Sequence, residues 1–324
     1  MKKILLASTA LVLSAGLAHA QAVTITGEGR MGVLYESWNN GGSDWVQENR
    51  LTLNFNVSVE ADHGLTFGAW TRARTQSSLL TGGLFTGVFS GSRVWVQANN
   101  LRLTFGNVDG AIRGAGVSHG YAGGCGVGYV GGHTCADTAG LVGTFSFGIP
   151  GTGVPGVIAG GASQGQSSTG AGPASRVRVD YTMGDTRIAV SHDRAGATEV
   201  GVRTTFNAFT VAAGYTSNGG ASWGGNSVWT ISGRYNGGSW GVGALVVSGG
   251  GVTNYSISGN VAVGGGSLYA YIARLNYIGA GVNALGVSYG YGLGGGATLT
   301  AGLERLTGAG DVVTTASVGV AFNF

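Results

Sequence analysis

Lysine disappears from this sequence after residue 3. Lys2 and Lys3 are the only two, so the other 15 basic residues are all arginine, and with 14 acids the chain downstream of them has a net charge of +1. A polyanion-binding protein is far more basic, so a nucleic-acid partner is not expected. Proline is almost absent, with three in 324 residues, and charged residues make up only 10%. No run beyond the N-terminus approaches 18 consecutive apolar residues, which excludes a membrane-spanning helix there. Glycine, by contrast, fills 66 positions. High glycine with little proline and no collagen period argues against both a collagenous and a disordered chain. It suits a β-protein with many tight turns.

The N-terminus reads as a targeting segment. Lys2 and Lys3 form a basic start, Ile4 to Leu17 an apolar stretch, and Ala18-His19-Ala20 a small-x-small cleavage site. The expectation is a signal peptide over residues 1–20, removed to leave Gln21 first and the fold in residues 21–324. An uncleaved anchor is the alternative, but the apolar stretch is short for a spanning helix.

The rest alternates with period 2. From Leu51 to Val59 the odd positions are Leu, Leu, Phe, Val and Val, while Thr52, Asn54, Asn56 and Ser58 fall between them. Val23 to Tyr35, Leu101 to Phe105, Val177 to Tyr181, Phe209 to Tyr215 and Leu285 to Tyr291 repeat the pattern. The connections alternate as well. Seven tight ones carry turn residues, such as Asp62-His63-Gly64, Asn99-Asn100 and Gly264-Gly265-Gly266. Eight looser ones fall near residues 36–46, 76–91, 108–175, 193–198, 217–226, 248–252, 276–281 and 307–311. Fifteen connections predict 16 antiparallel strands. Short turns at one end and longer loops at the other are the habit of transmembrane barrels.

A soluble sandwich would show the same alternation. Two features favour an all-β transmembrane barrel. Aromatic residues sit near the strand ends of the apolar face (Tyr35, Tyr181, Phe206, Phe209, Tyr215, Tyr235, Trp240, Tyr289, Tyr291), where membrane interfaces place them. A closed barrel also leaves no unpaired edge in lipid. The chain then ends Val318-Gly319-Val320-Ala321-Phe322-Asn323-Phe324, an amphipathic strand closing on phenylalanine.

That ending resembles the assembly signal of outer-membrane barrels. The start, Gly27-Glu28-Gly29-Arg30-Met31-Gly32-Val33, resembles the first strand of the general porins of alphaproteobacteria. So do Gly64-Leu65-Thr66-Phe67-Gly68-Ala69, Leu103-Thr104-Phe105-Gly106-Asn107 and Gly294-Gly295-Gly296-Ala297, in the same order. The resemblance implies a homotrimer of 16-stranded barrels in the outer membrane of a Gram-negative bacterium. It also implies that the long third loop, residues 108–175, folds into each lumen as a constriction. Small hydrophilic solutes and ions would diffuse through.

Several motifs have a bland explanation. Gly116-Val117-Ser118-His119-Gly120 and the stretches around Ser163, Ser222 and Ser239 match a nucleophile-elbow string, but none follows a parallel strand and opens a helix. Gly27 to Gly32 and Gly151 to Gly156 match a dinucleotide-binding string equally emptily. No catalytic set and no cofactor is expected. His119, Cys125, His133 and Cys135 could be drawn as a zinc site, but their spacing fits no standard pairing. In an exported protein two lone cysteines more often pair, so a Cys125–Cys135 disulfide is expected, stiffening the loop.

The arginines are the informative set. Arg30, Arg50, Arg72, Arg74 and Arg102 fall on the polar face of their strands, and Arg93 lies near the start of another. In a barrel that face lines the lumen, giving a basic ladder that orients solutes. The alternative is ordinary solvated charge on a polar sheet face. Glu28, Glu48 and Glu60 share the face. The family usually sets a strongly acidic third loop against the basic wall. This loop offers only Asp109 and Asp137, beside Arg113. The expectation is therefore a weakly anion-preferring or unselective pore. A channel specific for sugars, with Trp70 and Trp95 as an aromatic track, is the competing reading.

Overall fold

The computed structural model describes residues 22–39, 42–78, 83–117, 125–128, 134–141, 144–145, 158–159, 162, 176–276, 281–308 and 311–324. Its strands are β1 (Ala22–Trp38), β2 (Gly42–Glu60), β3 (Leu65–Ser78), β4 (Gly83–Phe89), β5 (Arg93–Ala98), β6 (Leu101–Gly106), β7 (Thr144–Phe145), β8 (Ile158–Ala159), β9 (Arg176–Met183) and β10 (Thr186–Asp193). There follow β11 (Thr198–Phe206), β12 (Phe209–Thr216), β13 (Val228–Asn236), β14 (Trp240–Gly249), β15 (Val252–Val263), β16 (Gly266–Leu275), β17 (Val282–Gly294), β18 (Ala297–Gly308) and β19 (Asp311–Asn323).

From β1 to β3 and from β9 to β19 each strand pairs antiparallel with the next, β5 pairs with β6 and β6 with β9 across the long loop, and β19 returns to β1, closing the sheet. β7 and β8 form a separate two-stranded ribbon within the long loop. β4 and β5 both pair with β3 and are two halves of one barrel strand, broken at Ser90-Gly91-Ser92. The barrel therefore has the 16 strands expected. At the break the Asn107 side-chain amide donates to Gly91 O at 2.8 Å, and Ser90 N still reaches Arg72 O at 2.8 Å. These bonds satisfy polar backbone that lipid could not.

Pleating separates two faces. Val23, Ile25, Met31, Leu51, Val200, Ile257, Ile272 and Leu303 are all exposed on the outside, the position of lipid contact. The aromatic residues form clusters on that face: Phe206 against Phe209, Phe209 against Tyr235 and Tyr235 against Trp240 at the short-turn end, with ring centroids 4.9–5.9 Å apart. Tyr35 packs on Trp45 at 4.8 Å near the loop end. The short turns use left-handed backbone where two residues must reverse the chain. Gly264 and Gly265 have φ +59° and +78°, which side chains disfavour and a two-residue hairpin requires.

The second loop is shorter than the sequence suggested. Residues 76–91 read as a connection, yet β3 runs to Ser78 and β4 starts at Gly83. Thr75-Gln76-Ser77-Ser78 is too polar to look like a membrane strand, but the ladder to β2 and β4 continues through it.

The apolar core lies inside the barrel, between the wall and the third loop. Ile112, Ala115, Val117, Ala139 and Leu141 of the loop pack with Ala189, Ala212, Val228, Leu245 and Val247. Val127 and Ala136 pack with Tyr269, Tyr271, Leu275, Ala284 and Leu306.

Candidate functional site: the inner wall and its loop

Two anchorages hold the described parts of the loop against the wall. The first is the helical turn α1 (Ala111–Ala115), which buries every residue except Arg113. Its leading amides, with no partner inside a helix, turn to the wall: Ala111 N donates to Ser191 Oγ at 2.9 Å and Ile112 N to Glu199 Oε2 at 3.2 Å. Glu199 is buried, so its charge needs a partner. Arg176 supplies it, lying 3.9 Å from Glu199 and 2.8 Å from Asp193. The same guanidinium donates to Val108 O at 3.3 Å, and Arg178 donates to Asp109 O at 2.9 Å.

The second anchorage is built on Asp137, wholly buried. Its carboxylate accepts from Cys125 N at 3.1 Å, Gly126 N at 2.8 Å and the Tyr269 hydroxyl at 2.8 Å. Burial pushes this carboxyl above its ordinary value, and those three hydrogen bonds pull the other way. Beside it, buried Glu304 accepts from Thr134 N at 3.1 Å and the Tyr271 hydroxyl at 2.8 Å. Ser256 donates to Asp137 O at 2.6 Å and Asn254 to Ala139 O at 3.0 Å. Cys125 and Cys135 are joined in a disulfide, closing the segment between these contacts. That bond removes both thiolates from any zinc site. His119 and His133 lie outside the described residues.

Glycines on the wall make room for the loop. A Cβ on Gly201 would lie 2.7 Å from Ala111 O, and one on Gly302 would lie 2.4 Å from Gly128 N. Both obstacles are backbone, which cannot swing aside. Part of the high glycine content thus serves close approach of one chain segment to another.

Opposite the loop stand the arginines read from the sequence. Arg30, Arg50, Arg72, Arg74, Arg93 and Arg102 fall on the inner face of β1, β2, β3, β5 and β6. Glu28 pairs with Arg30, and Glu48 with Arg50 at 3.3 Å. Asp109 interacts electrostatically with Arg72 and Arg93, so one loop acid faces this wall. Asp137 does not: it is spent holding the loop down. Arg178, Arg187 and Arg203 extend the row onto β9, β10 and β11, with Asp180 bridging Arg178 at 2.8 Å and Arg187 at 3.2 Å. The sequence carried that signal, since all three sit on the polar positions of alternating strands.

Trp70 and Trp95 also point inward, and Trp70 presents no free face. The Arg93 guanidinium lies 3.9 Å from the centre of the Trp70 ring, leaving that residue 6% exposed. Arg102 lies 4.0 Å from the centre of the Trp95 ring, which also lies against Gly68; Trp95 stays partly exposed and lines an inner cavity with Asn56, Ser58 and Arg102. These are cation–π contacts within the wall. Ser222 lies in a short 3₁₀ turn and Ser239 in a tight turn, so neither stands at a nucleophile elbow; Ser118 and Ser163 lie outside the described residues. Gly27 to Gly32 lies within β1, with no helix following, and Gly151 to Gly156 lies outside the described residues.

A closed 16-stranded barrel, apolar outside, arginine-lined inside and narrowed by an inward loop, defines a channel protein of the outer membrane. The chain belongs to the Gram-negative porin family, whose sequence model matches residues 7–311. A porin of Fuscovulum blasticum is 32% identical over 92 residues, covering 28% of this chain and 30% of that protein, so that match spans under a third of the relative's length. Among solved structures, one engineered variant of the Rh. blastica porin superposes with a TM-score of 0.69 at 21% identity, covering 94% of this chain and 100% of that one. A further variant, of Rhodopseudomonas blastica porin, gives 0.68 at 19% identity over the same shares. At that identity the likeness establishes the fold.

Proposed function

We propose that this protein is a general-diffusion porin: a water-filled pore that passes small hydrophilic solutes and ions by size and charge, and does not transform them. The observation that carries this reading is the inner arginine row of β1–β6 standing across the lumen from an anchored loop. Arg30, Arg50, Arg72, Arg74, Arg93 and Arg102 on one side, and Arg113 with Asp109 on the other, would form the constriction. Arginine stays protonated in any protein environment, so this field persists at every working pH. Six wall arginines stand against Glu28, Glu48 and Glu60, which supports a weak preference for anions.

Residues 1–20 would direct export and be removed, and three copies would assemble in the membrane. The sugar-specific alternative loses ground at Trp70, which Arg93 covers, while Trp95 remains partly exposed. A liposome-swelling series over sugars of increasing size separates the two. Rates falling smoothly with size support diffusion; saturation by one sugar supports a specific channel.

A further inference from the structure

On β9, β10 and β11, arginines occupy neighbouring inner-face positions near the short-turn end. Arg187 and Arg203 are direct cross-strand partners, flanked in their row by Thr182 and Ala212. Asp180 faces Arg102 of β6 in the adjoining row, and Arg178 is the next inner position on its own strand. One pair of these arginines has a carboxylate between its members. Asp180 is buried between Arg178 at 2.8 Å and Arg187 at 3.2 Å, and it interacts electrostatically with Arg102 as well.

The next pair has none. Arg203 is half-buried, its Nε is covered without an acceptor, and no carboxylate pairs with it. The acids nearby do not reach it. Glu199 is bonded to α1 and lies beside Arg176, and Asp109 interacts with Arg72 and Arg93. Asp185, in the turn before β10, and Glu60, at the end of β2, enter no ion pair. The end of α1 stands against Arg203, since a Cβ on Gly116 would lie 3.1 Å from its Nη1, yet Nε finds no carbonyl there. Arg102, Arg178, Arg187 and Arg203 therefore share one carboxylate. Like charges directly opposite destabilise a sheet, and a cation drawn out of water without a counterion adds to that cost.

The pair is open to solutes, because the Arg187 side chain keeps 38% of its surface exposed. Beyond Ala212 the same row reaches Ser232, whose buried Oγ has no hydrogen-bond partner. Planar guanidinium forks match the paired oxygens of a carboxylate, and a chloride ion has no such pair. We propose that Arg187 and Arg203 form a subsite for the carboxylate of small organic acids crossing the pore. The solute takes beside Arg203 the part that Asp180 plays between Arg178 and Arg187. The proposal deepens the pore reading and rests on it.

The test is single-channel chloride current through the full protein in a planar bilayer, titrated with succinate. Wild type is expected to lose current saturably. Arg203→Gln should raise the half-blocking concentration about tenfold, the effect of losing one charge-assisted hydrogen bond. Arg187→Gln serves as a second variant and should act in the same direction. Arg234→Gln, on the inner face of β13 two strands away and one row nearer the turns, should shift it less than about twofold. A chloride-conducting channel that succinate does not block overturns the subsite and leaves the pore reading standing. Equal shifts in Arg203→Gln and Arg234→Gln also overturn it, because they signal a diffuse field. A barrel that inserts but carries no current overturns both.

Discussion

The Tyr269 hydroxyl donates to Asp137 Oδ2 at 2.8 Å, tying the third loop to β16 across 132 residues of sequence. This contact fastens the described part of a long glycine-rich connection to the inner wall. A loop lying free in a lumen would lose its position to backbone entropy. Two buried carboxylates, two tyrosines and a disulfide offset that loss here.

Asp137→Ala should therefore release the loop. It strands the Tyr269 hydroxyl and two backbone amides, at about 1–3 kcal/mol for each buried group left unpaired. Current recordings should show frequent fluctuations in open level while the barrel itself stays folded.

The titration of Asp137 has a definite sign. Its carboxyl is raised in the folded protein by burial, so docking is strongest with the proton on and weakens as pH rises through the raised value. Acidification should quiet the loop, read as fewer current fluctuations. Asp137→Asn, permanently neutral, should remove that pH dependence.

The Cys125–Cys135 bond closes a loop with a sequence separation of 10. Its chain-entropy contribution is about 2–3 kcal/mol. Non-reduced peptide mass spectrometry should show the pair lighter by about 2 Da than two thiols. Replacing both cysteines by serine should increase current fluctuations and leave the strand content unchanged.

The closing strand gives a different prediction. Val320 sits outward on β19 between Met31 and Leu299. Val320→Arg should cost about 2–4 kcal/mol if it lies at the bilayer midplane, measured by reversible unfolding in lipid. Next to it, the Phe322 and Phe324 rings cover Gly29 and Gly27 of β1, where any side chain would collide with them. The glycines of the first strand and the terminal phenylalanine are two parts of one seam.

Strand number, closure and wall arginines were legible because alternation with period 2 records which face each residue takes. The disulfide was legible from export and cysteine count. The anchors were not. Glu199, Glu304, Tyr269 and Tyr271 lie on polar or mixed inner positions and look like any lumen residue until the path of the loop is known. Asp137 misled for the same reason: a loop acid reads as a pore charge, and burial makes it a fastening instead. Gly201 and Gly302 read as weak strand positions, because the backbone that lies against them comes from far away in sequence.

A general-diffusion porin of this design would owe its selectivity to the positive charge on its inner wall. The direct measurement is the reversal potential across a planar bilayer under a gradient of dilute potassium chloride, where screening is weakest. The expected result is a near-zero or anion-directed potential that fades toward 1 M salt, where screening shortens to about 3 Å. The double change Arg72→Gln with Arg74→Gln should move the potential toward cations. A clearly cation-selective wild-type pore, or a potential unmoved by that double change, would contradict the claim.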